Sequence, residues 1–324
     1  MNMKEIRKIT LILFVSALTF SSLDAQTRSD VITAYNEGAK AMQTDPQTAI
    51  AAFEKVIVLS DQVGEEAADL REKAVKVLPG LYVKLASAAV SEKKPAPEII
   101  SAAKTALAVS EKYDNPTGKT NAGKLLVQGY NAMAADFFAK NDFVNAILAF
   151  DSLLTINPDY VAAIYNKALI YIKQNDSDSF EKTIDLYLEK VKSVNDEEKT
   201  KKASTQALEY FRSAGSKANQ ADDLDEALVL LNKAAKYGDD KDLFYYFSDV
   251  YNKQKNFNSG AEYAQKGLDL ETGEAEAKAK YYYQLAVAQV GKGQTTDACA
   301  SFRNAMYGPF AEASKAQRTN LKCE

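Results

Sequence analysis

Residues 127–158 read VQGYNAMAADFFAKNDFVNAILAFDSLLTINP, and residues 161–192 repeat the layout as VAAIYNKALIYIKQNDSDSFEKTIDLYLEKVK. In the first stretch Tyr130, Ala134 and Phe137 are spaced by four and three, and so are Ala146, Phe150 and Leu153. That spacing puts each triplet on one face of a helix. Pro158 closes the pair, because proline cannot donate to a continuing helix. The same positions recur 34 residues later as Ile164, Ala168 and Tyr171, then Phe180, Ile184 and Tyr187. A small residue flanked by large ones suits two helices that cross closely. One such pair leaves an apolar face bare, so the pairs must stack to bury it.

Further copies follow. Phe211, Gly215 and Ala218 lead to Ala227, Leu231 and Ala234 after a 47-residue step. Tyr245, Asp249 and Asn252, then Ala261, Gln265 and Leu268, lie 34 residues on, and Tyr282, Ala286 and Gln289, then Ala298, Phe302 and Ala305, a further 37. Asp249, Asn252 and Gln265 fit least well, since polar groups stand where packing residues are expected. Upstream, Tyr35, Ala39 and Met42 with Ala49, Phe53 and Val56 form a degenerate copy turning at Asp45-Pro46. A second runs from Glu65 to Tyr113, its long first helix interrupted and bent at Pro79-Gly80, with a turn at Pro95-Ala96-Pro97. The spacing therefore predicts an all-α chain of antiparallel helix pairs, a single array over residues 26–324. Its clearest repeats are 127–194, 208–241, 242–275 and 279–310, with degenerate repeats over 28–113 and a capping helix over 311–322.

The small-and-aromatic pattern resembles the tetratricopeptide repeat family, most closely over residues 127–194. The resemblance implies a right-handed superhelical solenoid that binds a peptide segment or protein partner in a concave groove lined by the first helices. It also implies that the fifth position of each unit points into that groove, here Asn131, Tyr165, Arg212, Tyr246 and Tyr283. The carboxylate clamp of some family members is not reproduced: Asn131 and Asn166 fall at suitable places, but the matching lysines are absent and Arg212 stands one position away. As an alternative, the clusters Tyr245-Tyr246 and Tyr281-Tyr282-Tyr283 suggest an envelope glycan-binding accessory protein stacking sugars on exposed tyrosines. Consecutive helical residues point about 100° apart, however, which denies the triplet a single flat platform and assigns Tyr282 to the core.

Composition narrows the chemistry. The 324 residues contain no His, which removes the commonest general base and nitrogen metal ligand. With 18 Tyr, 14 Phe and no Trp, any aromatic recognition falls to Tyr and Phe. A net charge of −4 with no arginine-rich run points away from nucleic acid. The acidic run Asp222-Asp223-Leu224-Asp225-Glu226 begins a second helix, where carboxylates favour the helix dipole, and it lacks the alternating ligands and central glycine of a calcium loop. Asp239-Asp240-Lys241-Asp242 has the same explanation. No catalytic group, metal site or cofactor is expected, and the chain reads as a non-enzymatic scaffold.

Residues 1–25 carry Lys4, Arg7 and Lys8, an apolar run from Ile9 to Phe20, and Ala25 before Gln26. This is the layout of a secretory signal peptide, with an apolar run too short to cross roughly 30 Å of hydrocarbon. No later segment is expected to span a membrane. The leader resembles a bacterial one, so the periplasm is the expected address and secretion the alternative. In an oxidising compartment the two cysteines, Cys299 and Cys323, permit a disulfide through a hairpin near Gly308-Pro309, and the sequence leaves open whether they are bridged.

Overall fold

The computed structural model describes residues 26–324, and the signal-peptide reading of residues 1–25 lies outside them. Among the described residues there are fifteen α-helices and no strand. They form two compact units, one reaching Ala135 and the other running from Asp136 to Glu324.

The first unit contains α1 (Arg28–Ala41), α2 (Pro46–Val63), α3 (Ala68–Ser91), α4 (Ala96–Lys112) and most of α5 (Pro116–Ala139). Asp45 caps α2 by accepting from the Gln47 and Thr48 amides, with Pro46 at the first helical position, where its missing N–H costs nothing. Val31, Ala34, Phe53, Val56, Ala74 and Leu78 close the core between α1, α2 and α3, and Ala86, Ile100, Ala103, Ala122 and Leu126 close the one between α3, α4 and α5. Contrary to the expected interruption, α3 runs through Pro79 and Gly80 unbroken. Proline in a helix interior costs about 3 kcal/mol, and here Pro79 is buried in a helix packed on both α2 and α4, which offsets it. The segment Glu65–Ser91 is also long and apolar enough to cross a membrane by length and composition, with a mean hydropathy of 1.3, against the expectation that none after the leader would be. Its Leu70, Ala74, Leu78 and Leu81 belong to the core of the unit. At the surface Arg28 pairs with Asp69 at 2.6 Å, and that hydrogen bond holds the Asp69 carboxyl down at about 2.

The second unit continues with α6 (Phe143–Ile156), α7 (Val161–Gln174), α8 (Ser177–Ser193), α9 (Glu197–Gln220), α10 (Leu224–Ala235), α11 (Lys241–Lys253), α12 (Phe257–Leu270), α13 (Ala275–Gly291), α14 (Thr295–Asn304) and α15 (Ala311–Asn320). Helices adjacent in sequence pack as hairpins, and the first helices α9, α11 and α13 also pack side by side. Four of the turns between helices share one device, which the turn at Gly293 between α13 and α14 lacks. A residue in the left-handed region, Asn141, Asn175, Asp222 or Lys255, is followed by Asp142, Asp176, Asp223 or Asn256, whose side chain accepts from the amide three residues on. Asn and Asp tolerate positive φ and Asp and Asn make good caps, so this dipeptide both ends one helix and starts the next. It also accounts for the head of the Asp222–Glu226 run.

These turns correct the repeat register. Asp222 and Lys255 are 33 residues apart, not 34. The buried set in α11 and α12 is accordingly Phe244, Ser248, Gly260, Ala264 and Gly267, one residue before the expected Tyr245, Asp249, Ala261, Gln265 and Leu268. The small residues are present after all, displaced by a one-residue shortening of the turn before α11. In α13 the core tyrosine is Tyr281, fully buried, rather than Tyr282. Gly267 makes room for it, since a Cβ there would overlap the Tyr281 ring.

The end of the second unit is tied covalently. Cys299 in α14 and Cys323 beyond α15 form a disulfide with Cα atoms 5.6 Å apart. Arg318 donates to the Cys299 carbonyl and, at 2.6 Å, to the Glu324 carbonyl oxygen. Ser314 is the one buried residue of α15.

Candidate functional site

The sequence-derived row divides between the two units. Asn131 lies on α5 in the first; Tyr165 on α7, Arg212 on α9, Tyr246 on α11 and Tyr283 on α13 lie in the second. All five are half-buried.

Each of the four in the second unit already has a neighbour. The Tyr165 ring tilts against Tyr187 with centroids 4.9 Å apart, its hydroxyl donates to Gln206 Oε1, and burial raises its pKa. It borders a cleft of about 540 Å³ whose far wall is the early part of α9, including Lys201, Lys202 and Gln206. That wall exists because α9 has 24 residues where α7 has 14, which also explains the long step in the sequence. Arg212 pairs with Asp240, whose other carboxylate oxygen accepts the Leu243 amide at 2.7 Å as the cap of α11. Its guanidinium therefore holds a helix end. Tyr283 packs edge-on to Phe302 at 5.6 Å and tilts on Phe310 at 5.4 Å. Tyr246 meets Tyr245 edge to face at 5.3 Å.

With the corrected register, the position equivalent to Arg212 in α11 is Tyr245, not Tyr246. Tyr245 is the more enclosed: burial, and then the charge of Asp249, push its hydroxyl up to about 12. Lys280 lies 5.3 Å from its ring centroid and 4.9 Å from that of Tyr281, and donates to Asp242 at 2.5 Å. The Tyr245 ring stands at 63° to Tyr246 and 90° to Tyr281, so these tyrosines share no plane on which a sugar could stack.

Sequence reasoning missed the polar core of this face. Asp249 Oδ2 accepts from Asn219 Nδ2 on α9 at 2.6 Å, and Oδ1 accepts from Gln284 Nε2 on α13 at 2.8 Å. Lys253, one turn along α11, donates to Asn219 Oδ1 at 2.8 Å, and Asn252 Nδ2 donates to the Gln284 carbonyl and Oε1, both at 2.9 Å. Asn219 and Gln284 are 4% and 5% exposed, so these amides have exchanged water for each other and for the carboxylate. The ladder joins three successive first helices. Its one signal in the sequence was the set of polar residues that appeared to spoil the repeat.

No family model matches the sequence, and neither does any curated protein. Among solved structures the chain is similar to the MamA protein (18% identity, 61% of this chain and 97% of that one, TM-score 0.34). It is similar to YrrB, described as a TPR protein with an unusual peptide-binding site (15%, 58% and 91%, TM-score 0.34). It is also similar to a tetratricopeptide repeat protein from Parabacteroides merdae ATCC 43184 (17%, 91% and 99%, TM-score 0.28). The tetratricopeptide-like architecture rests on the helix pairs of the chain itself.

Proposed function

We propose that the protein is an exported, periplasmic, non-catalytic scaffold that docks a peptide segment or protein partner along the first helices of its second unit. The observation that carries this reading is the mixture on one set of elements: Tyr165, Tyr245 and Tyr246, the cations Lys201, Lys202 and Lys280, and the amide ladder, spread over α7, α9, α11 and α13. A row of aromatic, charged and hydrogen-bonding groups over several successive repeats suits a polypeptide, which presents backbone amides and varied side chains at regular intervals. Binding by Tyr283 belongs to the same proposal, and Asn131, in the first unit, does not. Arg212 contributes by fixing the start of α11.

The test is affinity capture with the mature protein from its native envelope, comparing wild type with Tyr246→Ser, Lys201→Glu, and Val229→Ser on α10, a second helix. A protein retained by wild type and Val229→Ser but lost at least about tenfold, or 1.4 kcal/mol, in the other two supports the groove. Equal capture by all four overturns it. Arg212→Ala is unsuitable, since it uncaps α11 as well.

A further inference from the structure

A second groove, of about 610 Å³, opens within the first unit between the C-terminal end of α1, the middle of α3 and the N-terminal end of α5. Its charged lining is Lys76 and Lys84, with no carboxylate. Lys84 is fixed at the rim by donating to the carbonyls of Met42 at 2.9 Å and Gln43 at 3.2 Å, which leaves its third N–H free. Lys73 pairs with Asp69, whereas Lys76 has no acidic partner among the described residues. On the α5 side, Asn115 Oδ1 accepts the Gly118 amide at 2.7 Å, leaving its Nδ2 to donate outward.

Gly80 lines the same groove, and nothing in the chain requires a glycine there. An added Cβ at Gly38 would come within 3.0 Å of Phe53 and one at Gly129 within 2.8 Å of Ile100, so those two serve packing. At Gly80 an added Cβ meets no atom within 4 Å, and the backbone there is ordinary helix. Glycine is among the poorest residues in a helix interior, and a violation of local preference without a packing reason points to a functional surface.

We propose that this groove receives an acidic peptide segment. Its main chain lies against the bare backbone at Gly80, its side-chain carboxylates reach Lys76 and Lys84, and the Asn115 amide donates to a peptide carbonyl. The purely cationic lining, in a chain of net charge −4, supplies the complementarity. This site is independent of the row in the second unit, and either can fail without the other.

The test is fluorescence anisotropy with the whole mature protein and a labelled dodecapeptide of four Glu-Ala-Gly repeats, amidated at its C-terminus. Its Gln counterpart is measured both amidated and as the free acid. The Glu peptide is expected to bind at least about tenfold tighter than either Gln peptide at low salt, and to weaken as salt screens the charges. Lys76→Glu is expected to reduce binding about tenfold. Gly80→Leu fills the groove and abolishes binding, while Gly80→Ala raises the melting temperature by about 1–4 °C because the space is empty and alanine favours the helix. Variants that bind like wild type, a Gln peptide that binds equally well, preference for the free-acid terminus, or no binding up to about 1 mM overturns the proposal. Loss of binding in Gly80→Leu with melting unchanged or raised is a result that a purely structural role for Gly80 cannot produce.

Discussion

In α7 and α8 the helices meet through Ala168, Phe180 and Ile184, all without exposed surface. In α11 and α12 the corresponding contact is made by Ser248, Gly260 and Ala264, and Ser248 Oγ donates to the Gly260 carbonyl at 2.7 Å. Beside that contact α11 carries Asp249 and Asn252, which reach the neighbouring first helices α9 and α13 by hydrogen bonds. The first pair is held by volume, which tolerates rotation and substitution as long as space is filled. The other adds bonds with fixed direction and therefore specifies how α9, α11 and α13 are turned relative to one another. The second unit thus combines a general packing solution with a local one that orients its proposed binding face.

The contrast can be broken at either side. Phe180→Ala should have the largest effect, a loss of about 3–5 kcal/mol in urea unfolding, because the fully buried ring packs on Tyr210 and Phe211 and leaves a cavity. A loss under about 1 kcal/mol would show that the volume account is wrong. Asp249→Leu should cost about 1–3 kcal/mol by stranding the amides of Asn219 and Gln284. A double-mutant cycle with Gln284→Leu should recover part of that loss, whereas additivity would deny the ladder.

Smaller effects sharpen the same comparison. Asp223→Ala should cost about 1 kcal/mol by removing the cap of α10, measured by the same unfolding curves. The smallest effect is expected at the surface pair of Arg28 and Asp69. Its folded-state pKa is depressed to about 2, so the contribution is present above the ordinary carboxylate range and is lost as pH falls through about 2. The difference in melting temperature between wild type and Asp69→Asn should shrink over that interval, and a constant difference would assign the effect to something other than charge.

Most of the helix pairing was legible because small and large residues recur with a period that packing enforces. Ala134, Ala168 and Gly215 are buried as their spacing predicts. The register slipped at α11 because an exact 34-residue step was carried across a turn that is one residue shorter, and only the turn at Lys255 shows that Ser248 and not Asp249 faces the partner helix. Pro79 misled in the other direction, since tertiary packing on both sides of α3 outweighs a local preference. The candidate site was less legible than the fold. Which face a tyrosine occupies follows from periodicity, but whether its ring is free follows from neighbours far away in sequence, such as Gln206 for Tyr165 or Phe302 for Tyr283. The ladder was hidden for the same reason: Asn219, Asp249 and Gln284 satisfy one another across more than thirty positions each way on average.

In an array whose members touch mainly their sequence neighbours, thermal opening begins as fraying at a terminus and spreads inward one hairpin at a time. The bond between Cys299 and Cys323 acts on that process as a knot at the end of a braid. The last helix has little buried surface of its own to hold it, so its residence on α14 is set by the covalent loop. Reduction would leave the folded core nearly as stable while shortening the lifetime of the terminal hairpin. A thiol reagent should therefore change amide exchange first in α15 and α14, well before it changes the global melting temperature.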